Sequence, residues 1–295
     1  MKLLSFGEIV WDVHGDNASL GGAPLNLAVH TAMQGEDAIL VSAVGNDKLG
    51  HRALEIAESY GVDVSCVTVL ECCETAICTV AVGENGQPSY RLEENASFDR
   101  ISMPKIMAYV DIISFGTLSL RHDNNRKIID GVLNCIPHGE VFCDINLRAP
   151  FYCRDTVKYC LSNADIVKIS DEELPEVGNV VFGGYRDIDD TAKELSETYK
   201  NVRMLIITLG AKGAICYDTK HGRRYKTDAK KTEVVSTVGA GDSFSAAFLS
   251  RLMRGESIDR CLEYASDIGA MVCSEKAAFS KELSARINEF NGGER

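Results

Sequence analysis

The sequence predicts an α/β protein with a mainly parallel central sheet, helices on both of its faces and a small β-sheet lid. Three features carry that expectation: short apolar runs alternating with helix-period segments from about residue 100 onward, two helices that open on glycines, and strand-like pairs within the first hundred residues. The runs 111–115, 141–145, 164–169 and 202–209 are apolar enough to be buried on both faces. Between the first two, Ile128, Ile129, Val132 and Leu133 keep helical spacing. Strand, helix and strand in this rhythm give a parallel sheet with helical crossovers.

The lid is expected from discontinuous segments, about 10–22 and 75–95, within one domain spanning 1–295. The run 75–82 alternates in part, Glu84, Asn85 and Gly86 offer a tight turn, and 87–92 runs back. Asn followed by Gly between two such runs is a hairpin signal. The segments 10–13 and 19–22 can add strands to the same sheet. A hairpin at the edge of the main sheet is the alternative.

Two helix starts bear on function. Gly21 and Gly22 precede Pro24, after which Leu25, Ala28, Val29, Ala32 and Met33 form one apolar stripe that Gly35 ends. Asn26 falls off the stripe, in the first turn, with its amide free to face a ligand. The second start lies in 235–244, where Phe244, Ala247, Phe248 and Leu252 keep helical spacing and put Gly239 and Gly241 at the helix N-terminus. Unpaired N–H groups and the positive end of the helix dipole converge there, which suits an anion.

Bulk properties narrow the ligand. The chain has 295 residues, 45% hydrophobic and 25% charged, enough for one large core. Its net charge of −12 and scattered basic residues argue against a nucleic-acid partner. An anionic substrate must therefore be held locally, by amides, helix termini and a cation. The eleven cysteines run from Cys66 to Cys273 without a CxxC pair, as reduced thiols in a cytosolic protein do. With no leader pattern at the start and no apolar run of membrane length, the expected location is cytoplasmic and no membrane partner is expected.

The chemistry follows from the helix starts. Gly239 and Gly241 let amides approach a phosphoryl group, and Asp242, next in line, makes sense as the acceptor of a proton from an attacking hydroxyl. A plain glycine turn with Asp at a helix start is the blander alternative. The same stretch reads GDSFS, which would make Ser243 a hydrolase nucleophile, but the last of the six histidines is His221, upstream of it. The cluster from Thr208 through Gly210 and Gly213 turns at the end of a buried strand, where open α/β sheets bind ligands, or is an ordinary turn. Neither GxxxxGK(S/T) nor GxGxxG occurs. Asp12 ends an apolar strand and, with Gly21, Gly22 and Asn26, can bind vicinal hydroxyls or merely cap a loop.

In order along the chain, GEIVWD at Gly7, GGAPLNLAV at Gly21, AVGND at Ala43, FGTLSL at Phe115, DINLR at Asp144, ADIVKISDEE at Ala164, TLGAKGA at Thr208 and STVGAGDSF at Ser236 resemble the ribokinase/PfkB family of carbohydrate kinases. The openings GEIVWDV and GGAPLN, with DINLR and KIS, are most similar to its fructokinase branch. The resemblance implies a ribokinase-like fold and transfer of the γ-phosphoryl of ATP, with Mg²⁺, to a hexose hydroxyl, fructose to fructose 6-phosphate. It implies that Asp12, Gly22 and Asn26 hold the sugar, that Asn146 and Arg148 line the substrate or phosphate path, and that Gly239, Ala240 and Gly241 form the anion hole beside the base Asp242. It further implies that Lys168 and Ser170 approach the phosphates, that Glu173 reaches the magnesium through water, and that Thr208, Gly210, Gly213 and Ser266 flank the nucleotide.

Two departures bear on a monovalent cation: Ser236 replaces the family's usual Asp, and Ala277 stands where many members have glycine, which puts potassium activation in doubt. Ser170 replaces the Asn of the NxxE pattern, as in other fructokinase-like members. Kinases of another sugar, of a 2-keto-3-deoxy sugar acid or of a nucleoside remain alternatives, as does a catalytically silent sugar sensor. Family lids often pair, so a homodimer through a lid edge is compatible with the sequence.

Overall fold

The structure, a computed structural model, describes residues 1–14, 17–82 and 88–293. The chain begins with β1 (Lys2–Phe6), β2 (Val10–His14), β3 (Asn17–Gly21), α1 (Ala23–Met33), β4 (Asp37–Gly45), α2 (Lys48–Ser59), β5 (Val62–Asp63) and β6 (Val67–Leu70). It continues through β7 (Ile77–Val82), β8 (Pro88–Leu92), β9 (Val110–Gly116), α3 (Asp123–Cys135), β10 (His138–Asp144), α4 (Arg154–Asn163), β11 (Ile166–Ser170), α5 (Leu174–Phe182) and α6 (Ile188–Thr198). It closes with β12 (Met204–Thr208), β13 (Ala214–Asp218), β14 (Arg223–Thr227), α7 (Ala240–Met253), α8 (Ile258–Cys273) and α9 (Lys281–Gly293).

The larger sheet has the order β14, β13, β12, β11, β10, β9, β1, β4, β5, with β6 also pairing β4. Its strands run parallel from β12 through to β5, and β13 and β14 add antiparallel at one edge. Side-chain alternation divides the apolar runs between two cores. Leu3, Ile112, Phe142, Ile166 and Ile206 face one side, under α1, α7 and α8. Their neighbours Leu4, Ile113, Cys143, Val167 and Leu205 face the other, under α3, α4, α5 and α6. Each strand therefore needs apolar residues in succession, because both of its faces are covered.

The N-terminal strands form a separate sheet of order β3, β2, β7, β8, so the hairpin is not an edge of the main sheet. The expected turn at Glu84, Asn85 and Gly86 lies outside the described residues. Asp12 does not end its strand as expected; it sits in the middle of β2, opposite Ser19. A small core of Val10, Ala76, Cys78, Ala96, Phe98 and Leu118 lies beneath this sheet. Trp11 ties it to the main body, its indole N–H donating to the Leu49 carbonyl at 3.1 Å. Arg121 adds a second tie, bonding Asp99 at 2.7 Å and lying over the Phe98 and Phe151 rings.

All eleven cysteines are free thiols. Cys78, Cys143, Cys160, Cys216 and Cys261 are buried as core residues, but Cys72, Cys135 and Cys153 are exposed, so the reading of the thiols as core hydrophobes holds for part of the set. No helix among the described residues is long and apolar enough to cross a membrane.

Helix α1 carries one buried histidine. His30 is fully buried, and its Nε2–H donates to the Ala278 carbonyl at 2.8 Å. Burial drives its pKa down to about 4, against the pull of that hydrogen bond. The unfolded chain protonates this ring at an ordinary pKa near 6.5 while the folded chain keeps it neutral, so stability is lost as pH falls from about 6.5 towards 4. Denaturant titrations across that window are expected to show the acid-side loss of the wild type reduced by about one proton in His30→Gln.

Candidate active site

Two helix N-termini and the carboxyl ends of three strands converge on one recess. It is lined by Glu8 beyond β1, Pro24 and Leu27 of α1, Thr117 beyond β9, Asp144 and Asn146 at the end of β10, and Asp242 and Ser245 of α7. Open parallel sheets place ligands at this end because strand termini and helix starts both leave polar backbone there.

Helix α7 begins as its sequence requires. Gly239 is the N-cap in the left-handed region, at φ 80°, and offers no side-chain cap to the first turn. A Cβ there would meet the Ala278 Cβ at 2.6 Å and Cα at 2.9 Å, so the position needs glycine for conformation and for space. Of the three residues expected to form the anion hole, Ala240 is excluded as a free donor, because its amide turns back to the Thr237 carbonyl at 3.2 Å. The amides of Gly241 and Asp242 have no acceptor among the described residues and remain available. A Cβ on Gly241 would lie 3.4 Å from the Lys168 ammonium, which therefore sits directly against this turn.

Asp242 faces the start of α1. The Asn26 Nδ2 donates to its Oδ2 at 2.7 Å, while the Asn26 Oδ1 is buried with no protein partner. Burial, then the charge of Asp144, push the Asp242 carboxyl up to about 6, against the Asn26 hydrogen bond and the charges of Lys168 and Arg148. The result is a carboxylate still ionised at neutral pH yet more basic than an exposed one. Ser243, the alternative nucleophile, is fully buried and donates to the Ala240 carbonyl at 2.9 Å, which removes the hydrolase reading.

Asp144 and Lys168 are register partners on β10 and β11, and their side chains pair at 2.5 Å. Burial disfavours the Lys168 charge, but Asp144 outweighs it and holds the ammonium above its ordinary pKa. A fixed positive charge thus stands beside the free amides of α7. Glu173 caps the start of α5 and clamps two loops: its carboxylate accepts from the Leu147 amide at 2.6 Å and from the Ser170 amide and hydroxyl at 2.9 and 2.7 Å. Asn146, in the clamped loop, adopts φ 40°, and Arg148 two residues on is exposed. Among the described residues no group of three or more potential metal ligands gathers. A single carboxylate such as Glu173 fits Mg²⁺, which keeps most of its waters and takes phosphate oxygens for the rest.

The remaining expected residues are distributed around this centre. Gly22 is the N-cap of α1 at φ 113°, where a Cβ would strike the Glu8 carbonyl oxygen at 2.4 Å. Asp12 lies on the small sheet, its carboxylate 3.1 Å from where a Gly21 Cβ would be. Thr208 pairs with Ser170 across β11 and β12. The turn beyond it holds Gly210 at φ 54° and Gly213 at φ 97°, the latter needing glycine because a Cβ would fall 1.9 Å from the Thr227 carbonyl oxygen. Ser266 is buried within α8. Glu8 and Asp144 received no role from the sequence, although both lie within motifs that carry the resemblance.

The family model for the pfkB family carbohydrate kinases matches residues 2–284. This chain belongs to that family. It is a phosphotransferase with a hydroxyl acceptor, and its fold is ribokinase-like. The kinase is 27% identical to probable fructokinase-3 of Arabidopsis thaliana, over 94% of this chain and 87% of that one. It is 25% identical to fructokinase-2 of Solanum lycopersicum, over 94% and 91%. Two solved structures share its fold. The fructokinase of Vibrio cholerae O395 in its fructose, ADP and calcium ion bound form superposes with a TM-score of 0.83 at 21% identity, covering 98% of each chain. The aminoimidazole riboside kinase of Salmonella enterica, complexed with aminoimidazole riboside and an ATP analog, superposes with a TM-score of 0.83 at 22% identity, covering 98% of this kinase and 99% of that chain.

Gly239→Ala is expected to destabilise the kinase by about 1–3 kcal/mol, from the left-handed backbone and the collision with Ala278. Denaturant unfolding measures the loss, and nucleotide titration is expected to weaken with it because the cradle amides shift.

Proposed function

We propose that this kinase transfers the γ-phosphoryl group of ATP to a hydroxyl of fructose, giving fructose 6-phosphate, with Asp242 as the base. The observation that carries the reading is the start of α7, where a buried carboxylate raised to about 6 adjoins two unpartnered amides and the Lys168 ammonium. The fructokinase names of the curated relatives select the acceptor. The riboside kinase of equal TM-score supports a second reading, a nucleoside-like acceptor.

Asp242 takes the proton of the sugar hydroxyl as its oxygen approaches the γ-phosphorus in line, and the amides of Gly241 and Asp242 with Lys168 receive the charge growing on the phosphoryl oxygens. Asn26 keeps Asp242 turned towards the acceptor, and its free Oδ1 accepts from a sugar hydroxyl. Asp12, Gly22, Asn146 and Arg148 complete the sugar and phosphate path, the small sheet serving as a lid within one domain. Thr208, Gly210, Gly213 and Ser266 flank the nucleotide, Ser170 approaches its phosphates, and Glu173 holds Mg²⁺ through water. Mg²⁺, when bound, neutralises phosphate charge in a chain whose net charge is −12. Potassium activation is not part of the reading, since in place of a carboxylate Ser236 donates its amide to the Cys273 carbonyl and accepts from the Val238 amide on its hydroxyl oxygen. The enzyme works in the cytoplasm, and the outer strands β3 and β8 of the lid are the edges through which two copies would pair.

ADP release across a panel of hexoses, sugar acids and nucleosides tests the acceptor: fructose is expected to give the highest kcat/KM, and a nucleoside in first place would replace it. Asp242→Asn is expected to lower kcat roughly 10²–10⁴-fold with ATP binding retained. Because the base must be ionised, kcat/KM is expected to fall about tenfold per pH unit below about pH 6 and to level off above it.

A further inference from the structure

Asp144 lines the recess but has no part in the reaction described above. Strand pairing fixes where it stands. β10 lies between β9 and β11, and Asp144 is aligned with Gly116 on one side and Lys168 on the other. Side chains two residues apart on a strand share a face, so Asp144 and Lys168 follow Phe142 and Ile166 on the face whose core also holds Phe244 and Phe248 of α7. The strands end there and α7 begins: a Cβ on Gly241 would lie 3.4 Å from the Lys168 ammonium and 3.9 Å from its Cε. The backbone of the pair is locked from both sides. The Ile145 amide donates to the Lys168 carbonyl at 3.0 Å, and the Thr117 hydroxyl donates to the Ile145 carbonyl at 2.7 Å. Lys168 is buried, and its ammonium donates to the Asp144 carboxylate. A lysine stem has four carbons and rotatable donors, so its charge stays at one place only where an acceptor holds it.

We propose that Asp144 is a positioning residue for phosphoryl transfer, its carboxylate pinning the Lys168 ammonium against the first turn of α7 so that this charge meets the transferring phosphoryl group. The charged groups around the pair come from several elements: Asp242 from α7, Glu173 from the start of α5, Arg148 from the loop after β10 and Glu8 from the loop after β1. α1 contributes the neutral Asn26, and the end of β9 contributes the hydroxyls of Ser114 and Thr117. Within this group Asp144 acts in two ways. It keeps Lys168 protonated against burial, and after burial its charge is the larger cause of the raised Asp242 carboxyl. Without that charge Lys168 loses its proton at lower pH and Asp242 ionises at lower pH, so both ends of the active range move in the same direction.

The inference rests on the proposed kinase reaction with Lys168 at the phosphates, and its test is run in the full chain with ATP and whichever acceptor the panel ranks first. Asp144→Asn, nearly isosteric, is expected to lower kcat about 10- to 100-fold, and Lys168→Met about 10²- to 10³-fold. If Asp144 acts through Lys168, adding Asp144→Asn to Lys168→Met costs less than about threefold more, whereas losses that multiply overturn the proposal. The pH profile gives a readout that a merely structural role would not move. In Asp144→Asn the alkaline limb of kcat/KM is expected about one unit or more below that of the wild type and the acid limb a few tenths of a unit lower, and a profile scaled down without moving overturns the proposal. Should Asp144→Asn not fold, Lys168→Arg carries the test: it keeps a charge for Asp144 to hold, so it is expected to retain at least tenfold more kcat than Lys168→Met, and equal losses overturn the proposal. A failure of the base assignment is seen separately, as an Asp242→Asn protein that still turns over.

Discussion

The placement of α7 by α1 is the constraint on which the site depends. Asn26 and His30 stand four residues apart on α1 and so point to the same side. One bonds Asp242 on α7, and the other bonds the carbonyl of Ala278, the residue whose side chain fills the space beside Gly239. A single helix thus grips the first turn of α7 at its carboxylate and, through the 274–280 loop, at its left-handed glycine. The two helix starts obey the same rule: Gly22 and Gly239 are N-caps with positive φ, each pressed against a backbone that a methyl group would displace.

Electrostatics then follow from that packing. Three carboxylates, Glu8, Asp144 and Asp242, share a recess in an acidic protein, which by itself would exclude a phosphate. Lys168 is bound to one of them, and at the start of α7 the amides of Gly241 and Asp242 have no acceptor among the described residues. The arrangement separates the charges: carboxylates are gathered in the recess, and the ammonium and the open end of the helix dipole at the start of α7.

Local signals made the two helix starts and the flat strands readable in advance. Pro24 and the glycines at 239 and 241 declare helix boundaries within a few residues, and runs such as 164–169 need no partner to reveal double-sided burial. What could not be read depends on register and distance. The Asp144–Lys168 pair exists because β10 and β11 align those positions, and the Asn26–Asp242 bond spans 216 residues. The loss of the Ala240 amide to the Thr237 carbonyl depends on how tightly that turn closes, which its glycines permit but do not dictate. Glu8 escaped notice because a carboxylate after a core strand looks like a surface residue until α1 is laid across it.

The chain's only tryptophan has a consequence beyond stability. Trp11 is rooted in the small sheet, and its ring N–H is spent on a carbonyl of α2, across the boundary between the two sheets. Any swing of one sheet against the other must alter the polarity around that indole. The protein therefore carries a built-in fluorophore at the seam, whose emission wavelength would register such a swing without a label.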